Sequence, residues 1–123
     1  MSLLPIVETY VYEFFRNRID EKYVYHDISH TVEVVMACRE LATAYKISRE
    51  DYEILMLAAW FHDTGFEMGP EKHEERSAQN MKNFFSNFSC PENHLEKICE
   101  CILATKLPQQ PHTLLEKLFA MPI

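Results

Sequence analysis

Three side chains stand out for the chemistry they could share: His30, His62 and Asp63. Two imidazoles and a carboxylate suit a borderline divalent cation such as Mn, Fe, Co, Ni or Zn. Spacing decides whether they can meet. His30 falls in the first turn of the second expected helix. His62 and Asp63 are neighbours on the last turn of the third. Adjacent helical residues diverge by about 100°, yet both can clasp one ion lying beyond the helix end, with His30 closing from the next helix. The same residues also fit a plainer reading, a buried histidine whose ring bonds a carboxylate and holds no metal.

Other candidates surround this trio. His26 and His30 would share a face if both were helical. Asp27 and Ser29 are helix-capping types, which places His26 just before the helix. There it can lean over the same site as a general acid or a phosphate contact, or be a partly exposed loop histidine. His73 follows the loop after Asp63 and can fold back over the metal. Its neighbours Glu74, Glu75 and Arg76 read as a solvated helix face. Cys99 and Cys101 point to different sides of a helix. With His94 they make at most a poor zinc site, and they read better as small core residues. His94 and His112 read as surface groups, and Lys106 as a solvated lysine within reach of a phosphate. Trp60 and Phe61 belong to the core. There is no Gly-rich phosphate loop, nucleophile elbow or basic-aromatic patch.

The element that must position His62 and Asp63 is the apolar run 54–61, read ILMLAAWF. It is too long for a typical strand and too short to span a bilayer. Leu, Met and Ala are good helix formers, and a helix apolar on every side is a buried one. Ser48-Arg49-Glu50-Asp51 opens it with a capping-box pattern, and Gly65 stops it. A charge at the inner end of such a helix is costly unless it is paired, hydrogen-bonded or bound to a metal.

The remaining elements also have helical periodicity. Over 5–19, Val7, Tyr10, Val11, Phe14 and Phe15 share a face. A second helix, capped by Asp27 or Ser29, runs to about Lys46 with Val34, Val35, Cys38, Leu41, Ala42 and Tyr45 inward. A fourth is expected over 70–88, with Pro70 in its first turn and Ala78, Met81, Phe85 and Phe88 inward. A fifth starts near Pro91 with Leu95, Ile98, Cys99 and Ile102 inward. A Pro-rich break at 107–111 precedes the beginning of a sixth at 113–119. No strand pattern is present. The expectation is a single all-α domain over 1–123, a bundle of five to six helices.

The formal charge of −7 on 123 residues makes nucleic acid and anionic membranes poor partners. A phosphate-bearing substrate would then need metal ions or a local basic residue. Only two glycines argue against a sheet rich in tight turns. The opening MSLLPIVETY lacks a basic n-region, so no signal peptide is expected, and no transmembrane run is present. Four cysteines without paired spacing fit a reducing cytoplasm.

Taken in order, YHDISHT, LAAWFHDTGF and HEERSA resemble the HD superfamily of metal-dependent phosphohydrolases. The likeness runs from about Tyr10 to Lys106 and implies an orthogonal helical bundle. It implies His30, His62 and Asp63 as ligands of a divalent cation, Mg included. It implies Asp63, His26 and His73 as catalytic residues, His26 matching the acid that protonates a leaving group and His73 a position that helps bind a second metal or the phosphate. The implied activity is hydrolysis of a phosphate monoester or diester, such as a nucleotide, with a metal-activated water as nucleophile. In one respect the chain departs from the pattern. A last aspartate, usually in a D-A-D helix, is expected after a segment like 111–119, and no Asp follows Asp63. The chain is therefore expected to be C-terminally incomplete or frameshifted. Read from the third base of the Phe119 codon, its last codons permit Cys-Asp-Ala-Asp. Uncovered apolar faces on the first and fifth helices would favour a homo-oligomer. The alternative is a catalytically silent regulatory or ligand-binding module.

Overall fold

A computed structural model of the chain describes residues 3–18, 28–65 and 71–104. These form five helices and no strand: α1 (Leu4–Arg18), α2 (Ile28–Tyr45), α3 (Arg49–Phe61), α4 (His73–Phe85) and α5 (Glu92–Leu103). The all-α expectation holds. The sixth helix expected over 113–119 lies outside the described residues.

Helix α3 is the axis of the bundle and packs against each of the other four. Every residue from Ile54 to Phe61 is buried. Burying an Ile, Leu or Phe side chain contributes about 1.5–3 kcal/mol, so this one segment commits the chain to a helix wrapped on all sides. It starts where its cap predicts: the Asp51 amide donates to Ser48 Oγ at 3.1 Å, a contact of about 1 kcal/mol.

The neighbours present their expected faces. Val7, Val11, Phe14 and Phe15 of α1 are buried, as are Val34, Val35, Cys38 and Ala42 of α2 and Ile98 and Ile102 of α5. Tyr10 joins three elements, its ring lying 6.1 Å from Phe61 and 4.7 Å from Phe84. These spacings fall in the range of favourable aromatic pairs.

Several boundaries and faces differ. Ser29 lies inside α2 and does not cap it. Helix α4 spans His73–Phe85, shorter at both ends than 70–88. Phe88 and Tyr45, expected inward, are exposed. Phe88 lies beyond the helix and stacks on Phe84 at 4.8 Å. Tyr45 is the last residue of α2, where the chain turns away. That turn is closed by the left-handed Lys46, with the Ile47 amide donating to the Ala42 carbonyl and the Lys46 amide to that of Thr43. This is a Schellman arrangement without its usual glycine. All four cysteines are free. No helix among the described residues is long and apolar enough to cross a membrane.

Candidate metal centre

Helix α3 ends at Phe61, with His62 as its C-cap still in helical geometry (φ −60°, ψ −28°) and Asp63 in the turn that follows. Their side chains converge. Asp63 Oδ2 stands 3.4 Å from His62 Nε2 and 3.4 Å from His30 Nε2, which α2 brings from its first turn. The ligating atoms of His30, His62 and Asp63 all lie within 4.8 Å of one another, and no other such group of His, Cys, Asp or Glu occurs among the described residues. Two donors bound to one ion at about 2.1 Å are separated by about 3.0–3.4 Å for angles between octahedral and tetrahedral. The two His–Asp separations match that spacing and exceed an ordinary hydrogen bond. The donor set therefore fits a divalent cation.

The protonation pattern fits as well. His62 Nδ1 lies 2.7 Å from the Ala59 carbonyl. A carbonyl only accepts, so Nδ1 carries a proton and Nε2 turns toward Asp63. Burial disfavours the charged imidazole, but the charge of the adjacent Asp63 carboxylate and the Ala59 carbonyl outweigh burial. The pKa of His62 is raised above the usual value. A positive charge on the imidazole and a cation thus offer Asp63 the same compensation by different means.

Exposure is graded across the site. The Asp63 side chain is 4% exposed and that of His30 40%, so the cluster is closed from the core side and open over His30. His73, at the start of α4, places Nε2 3.7 Å from Asp63 Oδ1, on the carboxylate edge opposite His30 and His62. Its Nδ1 faces Glu74 at 3.4 Å. His26, Lys106 and His112 lie outside the described residues. His94 is engaged with Glu50 at 2.8 Å, tying α5 to the start of α3, and makes no cluster with Cys99 and Cys101.

The solvated face expected at Glu74 to Arg76 is instead partly buried. Arg76 Nε donates to the Gly65 carbonyl at 2.8 Å. Beside it the buried Ser77 donates to the His62 carbonyl at 2.7 Å and accepts from the Gly65 amide at 2.8 Å. Thr64 donates to the Phe61 carbonyl and accepts from Asn80. None of Ser77, Thr64 and Asn80 was marked by residue type. The available signal was spacing: Ser77 is four residues after His73, on the same face of α4. Gly65 also has another reason than the stop signal. A Cβ there would lie 2.0 Å from the His73 carbonyl oxygen, so the residue is set by close approach of α4.

The family model of the HD domain matches residues 27–118. The chain belongs to the HD domain family, an all-α class to which the helices conform, and the His/Asp cluster is compatible with metal binding. Among curated proteins and solved structures, nothing matches.

Proposed function

We propose that this chain is a metal-dependent phosphohydrolase acting on a phosphate monoester or diester of a small molecule, such as a nucleotide. The observation that carries this reading is the convergence of His30, His62 and Asp63, with ligating atoms within 4.8 Å, in a chain of the HD domain family. In this reading those three residues hold the cation. A bound divalent cation supplies Lewis acidity: it screens phosphoryl charge and lets a water ionise near pH ~7.

The other steps belong to the protein's own groups. Asp63 orients the two imidazoles through one oxygen and faces His73 with the other. Its burial keeps bulk water from screening that charge. His62 is oriented by the Ala59 carbonyl through Nδ1, which leaves Nε2 as the nitrogen that would meet the cation once its proton is released. His73, beside the other oxygen of Asp63, is proposed as a phosphate contact. His26 is proposed as the acid that protonates the leaving oxygen. The acidic charge of the chain gives a phosphate ester no long-range attraction, so recognition falls to the cation and these histidines.

The test is metal content by elemental analysis, followed by hydrolysis assays on aryl phosphate mono- and diesters and nucleotides with added Mn, Co or Ni. Metal retention and turnover, both abolished in His62→Ala, are expected. Turnover that survives His62→Ala refutes the assignment. Metal retention with no ester hydrolysed points to the silent binding module.

A further inference from the structure

We infer that Ser77, assisted by Arg76, is the positioning residue of the metal turn. The inference rests on the metal reading above. Asp63 sits on a short turn past the end of α3, where the last carbonyls of a helix lack helical partners. One hydroxyl reaches both sides of Asp63. Ser77 Oγ donates to the carbonyl of the residue before it, His62, at 2.7 Å. It accepts from the amide of the second residue after it, Gly65, at 2.8 Å. Arg76 Nε holds the Gly65 carbonyl at 2.8 Å from the same side. The backbone that carries Asp63 is thus tied to α4 at three points spanning residues 62–65.

The two Ser77 bonds lie where water does not compete. Ser77 and Thr64 have no exposed surface, and Asp63 has almost none. In such surroundings a lost hydrogen bond leaves a buried polar group unsatisfied, and the backbone shifts to find another partner. A shift of that backbone turns the Asp63 carboxylate away from His30 and His62. The same contact sets His73, whose carbonyl lies against Gly65 so closely that no Cβ fits between them. Helix α4 therefore carries one potential phosphate contact and registers it against the metal ligands through Ser77. Ser77 itself touches neither cation nor substrate, and it acts through Asp63. Groups that orient metal ligands in this way typically carry a 10–100-fold effect on affinity.

The experiment uses Co2+ as probe, because its visible spectrum reports coordination as well as occupancy. Titration of the full chain is compared with Ser77→Ala, Ser77→Thr and Arg76→Met, with apo-protein melting followed in parallel. Ser77→Ala is expected to stay helical, bind Co2+ about 10-fold or more weakly, and show an altered spectrum at saturation. Ser77→Thr, which keeps the hydroxyl, is expected to recover most of both. Arg76→Met, at a half-buried position, is expected to weaken binding by about 10-fold, the lower end of the range of such outer contacts, and serves if Ser77→Ala does not fold. A purely architectural Ser77 would lower the melting temperature and leave affinity and spectrum of the folded protein unchanged, which overturns the inference. Unchanged Co2+ binding in Arg76→Met overturns it where Ser77→Ala is unfolded. Failure of the unaltered chain to bind Co2+ refutes the metal reading itself and the positioning role with it.

Discussion

His62 Nε2 and Asp63 Oδ2, on adjacent residues, face each other at 3.4 Å. On a continuing helix these side chains would diverge by about 100°. They meet just past the end of α3, where His62 keeps helical backbone geometry and Asp63 lies in the turn that follows. The end of a buried helix thus makes a two-donor corner from consecutive residues, and one histidine from α2 completes it.

The three donors should not contribute equally. His62 is buried and locked by Ala59, whereas His30 is 40% exposed and replaceable by water. His62→Ala is expected to weaken Mn2+ or Co2+ binding by more than about 100-fold, beyond the range of outer contacts. His30→Ala should cost nearer about 10-fold. Calorimetric titration of both variants checks the order, and the reverse order would mean that the open side dominates.

Gly65→Ala places a Cβ 2.0 Å from the His73 carbonyl oxygen and 2.8 Å from the Ser77 amide nitrogen. Both obstacles are backbone, so no side chain can rotate away. Overpacking of this kind costs about 3 kcal/mol. Urea denaturation should show that loss, and metal affinity should fall with it because His73 and Ser77 are displaced together.

Burial raises the Cys38 thiol from its ordinary 9.0 to about 12. Its folded value lies above the unfolded one, so its contribution is fully present below pH 9 and is lost as pH rises toward 12. The slope is at most about 1.4 kcal/mol per pH unit. Between pH 9 and 10.5, Cys38→Ala should lose stability less steeply than the unaltered chain. Parallel slopes would show that Cys38 ionises equally in both states. A thiol reagent at pH 8 should label Cys99, which is half-buried, well before Cys38.

Lys46 closes α2 at φ 53°, a left-handed conformation costly for a residue with a Cβ. Lys46→Gly keeps both Schellman bonds and removes that strain. Part of the gain is lost to the greater freedom of glycine in the unfolded chain. A net stabilisation of about 0.5–1 kcal/mol is expected, a rise of about 2–6 °C in Tm. A lower Tm would show that the lysine side chain contributes a contact that outweighs the strain.

Local signals carried much of this molecule. The apolar run from Ile54 to Phe61, its Ser48 cap and the faces of α1 and α5 were legible because burial of a helix is written in consecutive residues and in a 3.6-residue period. His30, His62 and Asp63 were legible as a donor set by type and by their order among helices. Boundaries were less so. Phe88 looked inward on a helix that in fact stops at Phe85, because propensity changes gradually where hydrogen bonding ends abruptly.

Sequence alone determined that the chain builds helices around α3 and carries two imidazoles and a carboxylate at its end. Tertiary structure decided that Asp63 faces both imidazoles at the same 3.4 Å, that Arg76 turns from solvent to Gly65, and that Ser77 ties the turn to α4. The physical reason is range. Helix formation and burial follow from neighbours within a turn or two, whereas a hydroxyl shared by residues 62 and 65 depends on how two separate helices dock.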